Sequence, residues 1–299
     1  MRIRNLVLLT FVLLGAACSA QPGDRQVVYA GCTPGDGEIR QMLRIPSNTV
    51  VDFIRWHLLL RGDQQFVLDI SYGESKPNTL ALKPDSIHRT IIGTYTTDLK
   101  PQTAALKETL HFSAKEGDVQ FKMARVTANL FHFLTADGQW MVGNGGWSFQ
   151  LNRKSPVISD DLFIHSSLMD DTSRLMVFEG RTPCQPIAQE HPEMKRSDAC
   201  FKLKWKLTLH RDPVSKQPTT YIFRKVIDNE PRQVEGNWAM RKGTGALSGT
   251  VIYTVGTENP ETAMSFLVGD DNILIFLDKQ MKPYPGNEHF SVALNRRKE

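Results

Sequence analysis

Long apolar runs are scarce in this sequence. After Leu14 no stretch approaches the roughly 18 uninterrupted apolar residues that a transmembrane helix needs. We therefore predict no membrane-spanning helix in the mature chain. No later segment shows a capped apolar stripe with the 3.6-residue period of a surface helix, and this absence argues against a helical architecture.

Motifs that accompany catalysis or metal binding are also absent. The sequence has no Gly-x-Ser-x-Gly elbow, no His-x-x-x-His pair and no Asp-x-Asp-x-Asp-Gly calcium loop. The triplet His210–Asp212 imitates a kinase motif, but no glycine-rich phosphate loop accompanies it, so a hairpin entry is the better interpretation. The stretch Gly143–Gly146 precedes a strand rather than a helix, and we interpret it as a turn. We predict no enzyme activity, no bound metal and no cofactor.

Net charge is low as well. The formal charge is +4, and loss of Arg2 and Arg4 with a signal peptide leaves about +2. An imbalance this small does not argue for a nucleic-acid partner. With 40% hydrophobic and 23% charged residues, the composition is that of an ordinary globular protein.

The N-terminus differs in kind from the rest of the chain. A basic start, a short apolar run and a small-residue exit are typical of a secretory signal peptide. Cys18 follows at once, and the segment resembles a bacterial lipobox, although Gly15 stands where leucine is usual. This resemblance implies a lipoprotein-type signal over residues 1–18 and a diacylglycerol on the Cys18 sulfur. Ordinary cleavage after Ala20 is the alternative.

The chain contains an internal duplication. Residues 28–34 match residues 177–183, which places Gly180 149 residues after Gly31. After a loop that differs by six residues, the spacing becomes 143. The matched positions include Trp56 with Trp205, Tyr95 with Trp238, Phe133 with Phe276, Gly143-Asn144 with Gly286-Asn287, and Asn152-Arg153 with Asn295-Arg296. A period above 100 residues is too long for a solenoid, so each copy is a domain.

Within each copy the pattern is that of strands. Residues 201–209 alternate apolar and polar side chains, as a strand does when one face is buried and the other is in water. The wholly apolar stretch 273–277 predicts a buried strand. Many short strands separated by turns predict an all-β fold. Strands of this kind form either a sandwich or an up-and-down barrel. We predict two tandem antiparallel β-barrels related by duplication, over residues 27–153 and 174–299, with a linker at 154–173.

Each copy also pairs a repeated aromatic residue with an arginine near its end. Tyr95 and Trp238 follow equivalent glycines, while Arg153 and Arg296 lie on the predicted last strands. This arrangement resembles that of lipocalins, and the resemblance implies that the two barrels are lipocalin-like. We predict that each arginine lies across an aromatic ring of its own barrel. Such a structural cation–π contact is worth roughly 0.5–2 kcal/mol.

Several of these motifs resemble the N-terminal module of the NlpE family. The resemblance is carried by Phe178-Glu179-Gly180-x-x-Pro183-Cys184, the strand ending at Trp205–Leu209, and the late motifs from Phe276 to Arg296. The family consists of lipid-anchored envelope proteins linked to copper homeostasis and envelope stress sensing. The resemblance therefore implies barrels held at the outer membrane by a lipid.

Three cysteines remain once Cys18 is set aside. Cys184 and Cys200 lie close in sequence and are the predicted disulfide in an oxidising compartment. This pairing leaves Cys32 without a predicted disulfide partner. The NlpE family often has a Cys-x-x-Cys pair near the start of its barrel, and this chain lacks one. That departure puts a metal or redox role for paired cysteines in doubt.

The sequence thus predicts a non-catalytic, lipid-anchored protein of the cell envelope that binds, senses or scaffolds. Its partners are expected to be the membrane, through the anchor, and either an envelope protein or a small ligand. A soluble periplasmic or secreted protein is the alternative location. A lipocalin-type carrier of a small apolar ligand is the alternative function, since an eight-stranded barrel can hold one, although Trp205 and Phe276 argue for a filled interior.

Overall fold

The architecture consists of two closed barrels of eight antiparallel strands each. The computed structural model describes residues 26–297 except 36, 78, 100–104, 167–172, 195–199 and 228. In each barrel, strands that follow one another in sequence are hydrogen-bonded neighbours, and the last strand closes onto the first. This is an up-and-down barrel topology. The prediction of two tandem lipocalin-like antiparallel barrels is confirmed.

The two barrels have matching element orders. The first contains β1 Gln26–Thr33, α1 Glu38–Met42, β2 Phe53–Arg61, β3 Gln65–Gly73, β4 Ile87–Asp98, β5 Thr109–Ala114, β6 Gln120–Thr127, β7 Leu130–Leu134 and β8 Gln150–Arg153. The second contains β9 Leu175–Pro183, α2 Gln185–Glu190, β10 Lys202–Arg211, β11 Pro218–Ile227, β12 Glu230–Lys242, β13 Val251–Val255, β14 Met264–Asp270, β15 Ile273–Leu277 and β16 Ala293–Arg296. Short 3-10 turns lie at Pro192–Met194 and Gly245–Leu247.

The period-two pattern decides which side chains fill each barrel. On β10 the apolar residues Leu203, Trp205 and Leu207 are buried in the second core, while Lys204 and Lys206 alternate with them and lie outside. Trp205 packs against Phe276 with ring centroids 5.2 Å apart. Aromatic side chains therefore occupy much of the barrel interior, as the sequence indicated.

One end of each barrel is closed by a short helix. Ile39 of α1 is buried in the first core, and Ile187 of α2 is buried in the second. We call these the lid ends, and the opposite ends the open ends. The two helices were not predicted, because five or six residues are too few to show an apolar stripe of helical period.

Two repeated details explain why certain residues recur in both copies. The Trp56 indole N–H donates to the Thr33 hydroxyl at 2.8 Å, and Trp205 donates to Thr182 at 2.9 Å. These bonds satisfy a buried polar group at the same place in each barrel. The repeated glycine serves barrel closure, because a Cβ on Gly31 would lie 2.5 Å from the carbonyl oxygen of the neighbouring last strand.

A third apolar cluster lies between the barrels. All five residues of β7 and all five of β15 are buried, because one face of each strand lines its own barrel and the other faces the neighbouring barrel. Leu162 and Ile164 of the segment after β8 join this cluster. Within the described chain, no helix is both long enough and apolar enough to cross a bilayer.

Candidate binding site at the open end of the first barrel

The open end of the first barrel surrounds a cavity of about 240 Å³. We call it the open-end cavity. Its lining combines apolar side chains with charged and phenolic ones, and the residues are Val27, Tyr29, Leu60, Arg61, Gly62, Tyr95, Thr97, Glu108, Leu110, Arg125, Phe131 and Arg153. The volume is slightly below the roughly 300–1,000 Å³ of typical small-molecule sites, so the cavity suits a small ligand.

Arg125 reaches this cavity because of its position on β6. Phe121 and Met123 lie in the first core, and two-residue alternation places Arg125 on the same inward face. Its Nη1 atom donates to both carboxylate oxygens of Glu108, at 3.0 and 3.2 Å. Its guanidinium carbon also lies 4.6 Å from the ring centroid of Phe163. The arginine is therefore held in place from two sides.

A second arginine, Arg153, faces the same cavity from β8. The strand register places it directly opposite Tyr29 of β1, and directly paired residues of antiparallel strands project to the same face. Within the described residues, Arg153 forms no ion pair with a carboxylate. The lining thus brings two inward guanidinium groups against the one carboxylate of Glu108, which leaves an excess of positive charge.

The tyrosine hydroxyls of the cavity donate hydrogen bonds to backbone carbonyl oxygens. The Tyr29 hydroxyl donates to the Ala128 carbonyl oxygen at 2.8 Å, and the Tyr95 hydroxyl donates to that of Arg61 at 3.0 Å. Burial raises the pKa of both phenols, so both are neutral at physiological pH. In the described chain, the Nε atoms of Arg61 and Arg125 are buried without a hydrogen-bond acceptor. Unused donors and unbalanced positive charge favour an anionic group in this cavity.

The second barrel lacks this charged arrangement. The equivalents of Glu108 and Arg125, at the spacing of 143, are Val251 and Val268. Val268 is buried in the second hydrophobic core, and the partly buried Val251 packs against it. There Arg211 lies 6.0 Å from the Trp238 ring centroid and donates to the Tyr253 hydroxyl at 3.1 Å. The charged pair is therefore a feature of the first barrel.

The predicted arginine–aromatic pairs are not formed as proposed. The cation over Trp238 is Arg211, whereas Arg296 donates to the Ser173 hydroxyl at 2.9 Å and to the Asp271 carbonyl at 3.4 Å. The reason is the closure of the barrel, which places the last strand beside the first. Arg296 consequently lies opposite Phe178 of β9.

The first barrel shows the same correction. Arg153 lies opposite Tyr29 of β1, rather than across Tyr95 of β4, although both tyrosines line the open-end cavity with it. In the described chain, the cation–π contacts involve Arg55, Arg125, Arg211 and Lys225. The pairing could not be derived from the sequence, because it depends on which strands become neighbours.

The cysteines occupy three different settings. Cys184 and Cys200 form a disulfide with their Cα atoms 5.8 Å apart. Cys32 is a buried free thiol whose pKa is raised by burial to about 11. Cys18, the predicted lipidation residue, lies outside the described residues, as does the rest of the predicted signal over 1–18.

Arg125 and Glu108 were missed by sequence reasoning. The alternation of Phe121, Met123 and Arg125 could have placed the arginine inside the barrel, but Glu108 precedes its strand and has no such pattern. The triplet at 210–212 lies where β10 enters its hairpin turn, and the Asp212 carboxylate accepts from the backbone N–H groups of Val214 and Ser215. Among the described residues, no three His, Cys, Asp or Glu side chains converge as a metal site.

A larger cavity of about 650 Å³ lies at the lid end of the first barrel. Its lining combines the apolar side chains of Met42, Phe112, Phe121 and Met141 with several polar residues. The Lys122 ammonium there donates to the Ala136 carbonyl oxygen at 2.8 Å. This cavity offers apolar surface without the paired inward arginines of the open end.

Comparison with known protein families, with curated proteins and with solved structures finds no match to this chain. The function is therefore inferred from the two-barrel fold and the open-end cavity.

Proposed function

We propose that this is a non-catalytic protein of the cell envelope that binds a small ligand carrying one anionic group in the open-end cavity. The observation that carries the proposal is the presence of two inward arginines, Arg125 and Arg153, against the single carboxylate of Glu108. Val27, Leu60 and Leu110 supply apolar surface for the rest of the ligand. The resemblance to the NlpE module supports the envelope setting and a sensing or scaffolding role.

Arg153 provides the sharper test, because replacing Arg125 would leave Glu108 without its partner. We expect hexanoate and hexyl phosphate to bind, measured by isothermal titration calorimetry on the purified chain. Arg153→Met should weaken both by about tenfold or more, since hydrogen bonds to a charged group contribute roughly 1.5–3 kcal/mol. The matched control is Arg296→Met, the equivalent change in the second barrel, which should leave binding unchanged.

The uncharged probe 1-hexanol separates this proposal from a carrier of apolar ligands. The apolar cavity at the lid end favours that second function. If 1-hexanol binds as tightly as hexanoate, and Arg153→Met changes neither, the apolar carrier is the better description. Equal losses in Arg153→Met and Arg296→Met would also contradict a site confined to the first barrel.

The proposed membrane anchor places the cavity near a bilayer. Gln26, where β1 begins at the open end of the first barrel, lies eight positions after Cys18. A fully extended chain spans at most about 3.3–3.6 Å per residue, so β1 starts within about 30 Å of a lipid on Cys18. The proposed site would then face ligands at or near the membrane surface.

Cys18→Ala tests the anchor directly. We expect this change to move the protein from the membrane fraction to the soluble fraction, because the lipid supplies the membrane affinity. The check is fractionation of the producing cells with intact mass measurement of the mature N-terminus. A wild-type chain that begins at Gln21 without lipid would instead establish ordinary cleavage after Ala20.

A further inference from the structure

The contact between the barrels joins equivalent surfaces of the two copies. In the apolar cluster that separates them, Ala124, Leu130 and Leu134 of the first copy lie with Leu267, Ile273 and Leu277 of the second. Each of these pairs is related by the spacing of 143 residues. The same outward face of each barrel is therefore buried against its counterpart.

One hydrogen bond at this surface is reciprocal, whereas the Nδ2 atom of Asn295 has no acceptor among the described residues. Asn152 accepts from the Gly286 N–H at 3.1 Å and donates from Nδ2 to the Asn287 carbonyl at 3.0 Å. Its equivalent, Asn295, accepts from the Gly143 N–H at 2.8 Å. Gly143 and Gly286 are themselves equivalent, so each asparagine binds the same loop of the other barrel. Both asparagines are buried.

One pair of equivalent residues meets directly. Trp147 and Phe290, related by the same spacing, stack with ring centroids 5.3 Å apart and planes 8° apart. In a two-fold arrangement only residues near the axis can contact their own equivalents. This stack therefore marks the position of the local two-fold axis.

We infer that the two barrels are joined by an isologous interface, the kind formed by two copies of one protein, and that the interface holds without a covalent link. The partner that this surface fits is the other barrel. Leu162 and Ile164 add to the apolar cluster from the first half of the chain. The disulfide lies within the second half and Cys32 is a free thiol, so neither joins the halves. This inference is independent of the proposed ligand.

Cutting the folded chain between the barrels tests the inference. A protease site is placed in residues 167–172 of the full-length protein, which is purified intact and then cleaved. We expect the two fragments to co-elute as a one-to-one complex in size-exclusion chromatography with light scattering at micromolar concentration. Separate elution of the two fragments would overturn the inference.

Two single variants then test the reciprocity. Asn152→Ala and Asn295→Ala each remove buried hydrogen bonds across the interface, so each should raise the dissociation constant of the cleaved complex about tenfold or more. Val234→Ala, at an exposed position on β12, is the control and should change nothing. Circular dichroism melts of the uncut variants establish that they fold. A loss confined to one asparagine would contradict an isologous contact.

Discussion

Acidification from neutral pH to pH 4 is expected to reduce the stability of this protein by about 3 kcal/mol through His132 alone. His132 lies on β7 with no exposed surface, its ring centroid is 4.6 Å from that of Trp140, and its Nε2 donates to the Met141 carbonyl at 2.9 Å. Burial lowers the pKa of this imidazole from 6.5 to about 4. The side chain is therefore held in its neutral form.

The sign of the effect follows from proton binding in the two states. Below pH 6.5 the unfolded chain takes up a proton at His132, whereas the folded protein does so only below about pH 4. Stability is therefore fully present above pH 6.5 and falls as the pH drops toward 4. A pKa difference of about 2.5 units corresponds to about 3 kcal/mol.

The measurement is urea unfolding between pH 7 and pH 4 of the wild type and of His132→Ile. Ile275 is the equivalent residue in the second copy and is fully buried there, so isoleucine suits this position. Burial also lowers the pKa of His191 and His289. Both proteins retain these two histidines, so the difference between their unfolding free energies at each pH reports the contribution of His132. Parallel pH profiles for the two would contradict the prediction.

Loss of the disulfide is expected to lower the free energy of unfolding by a similar amount, about 3 kcal/mol. Cys184 and Cys200 close a loop with a sequence separation of 16, and the chain-entropy estimate for a loop of that size is about 3 kcal/mol. The loop contains α2 and Met194, and Ile187 of α2 and Met194 are both buried in the second core. Without the crosslink, the unfolded chain has more conformational entropy, and the segment between Cys184 and Cys200 loses that entropy on folding.

Urea unfolding with and without reductant measures this contribution. Reductant should lower the midpoint in the wild type and in Cys32→Ala, which keeps the disulfide. It should have no effect on Cys184→Ala/Cys200→Ala, which should match the reduced wild type. If reductant leaves the urea midpoint of the wild type unchanged, the disulfide does not contribute to stability and packing alone holds α2 in place.

Most of the fold could be predicted from residues that repeat. The matched glycines, tryptophans and terminal arginines established two copies, and the alternation around Trp205 established strands. The apolar run Ile273–Leu277 correctly predicted a buried strand, and the structure buries both of its faces. The other barrel covers the outer face of this strand. An apolar sequence pattern predicts that a strand is buried, but it does not predict which element packs against it.

The candidate site was less accessible to sequence reasoning. Tyr95 was predicted as a structural partner of Arg153, but it lines the open-end cavity while Arg153 lies opposite Tyr29. Glu108 and Arg125 lie 17 residues apart, and they meet because β5 and β6 pair as a hairpin. Gly143–Gly146 was correctly interpreted as a turn, yet its contact with Asn295 depends on how the barrels dock.

The stack of Trp147 on Phe290 has a consequence for how this chain can change. In an assembly of identical subunits, a residue on the two-fold axis must meet a copy of itself, so every mutation there occurs on both sides at once. A tandem chain is free of that restriction, because each side is encoded separately. Tryptophan against phenylalanine is a combination that identical subunits cannot place on such an axis. In the same way, the first barrel can carry Glu108 and Arg125 where the second carries valines.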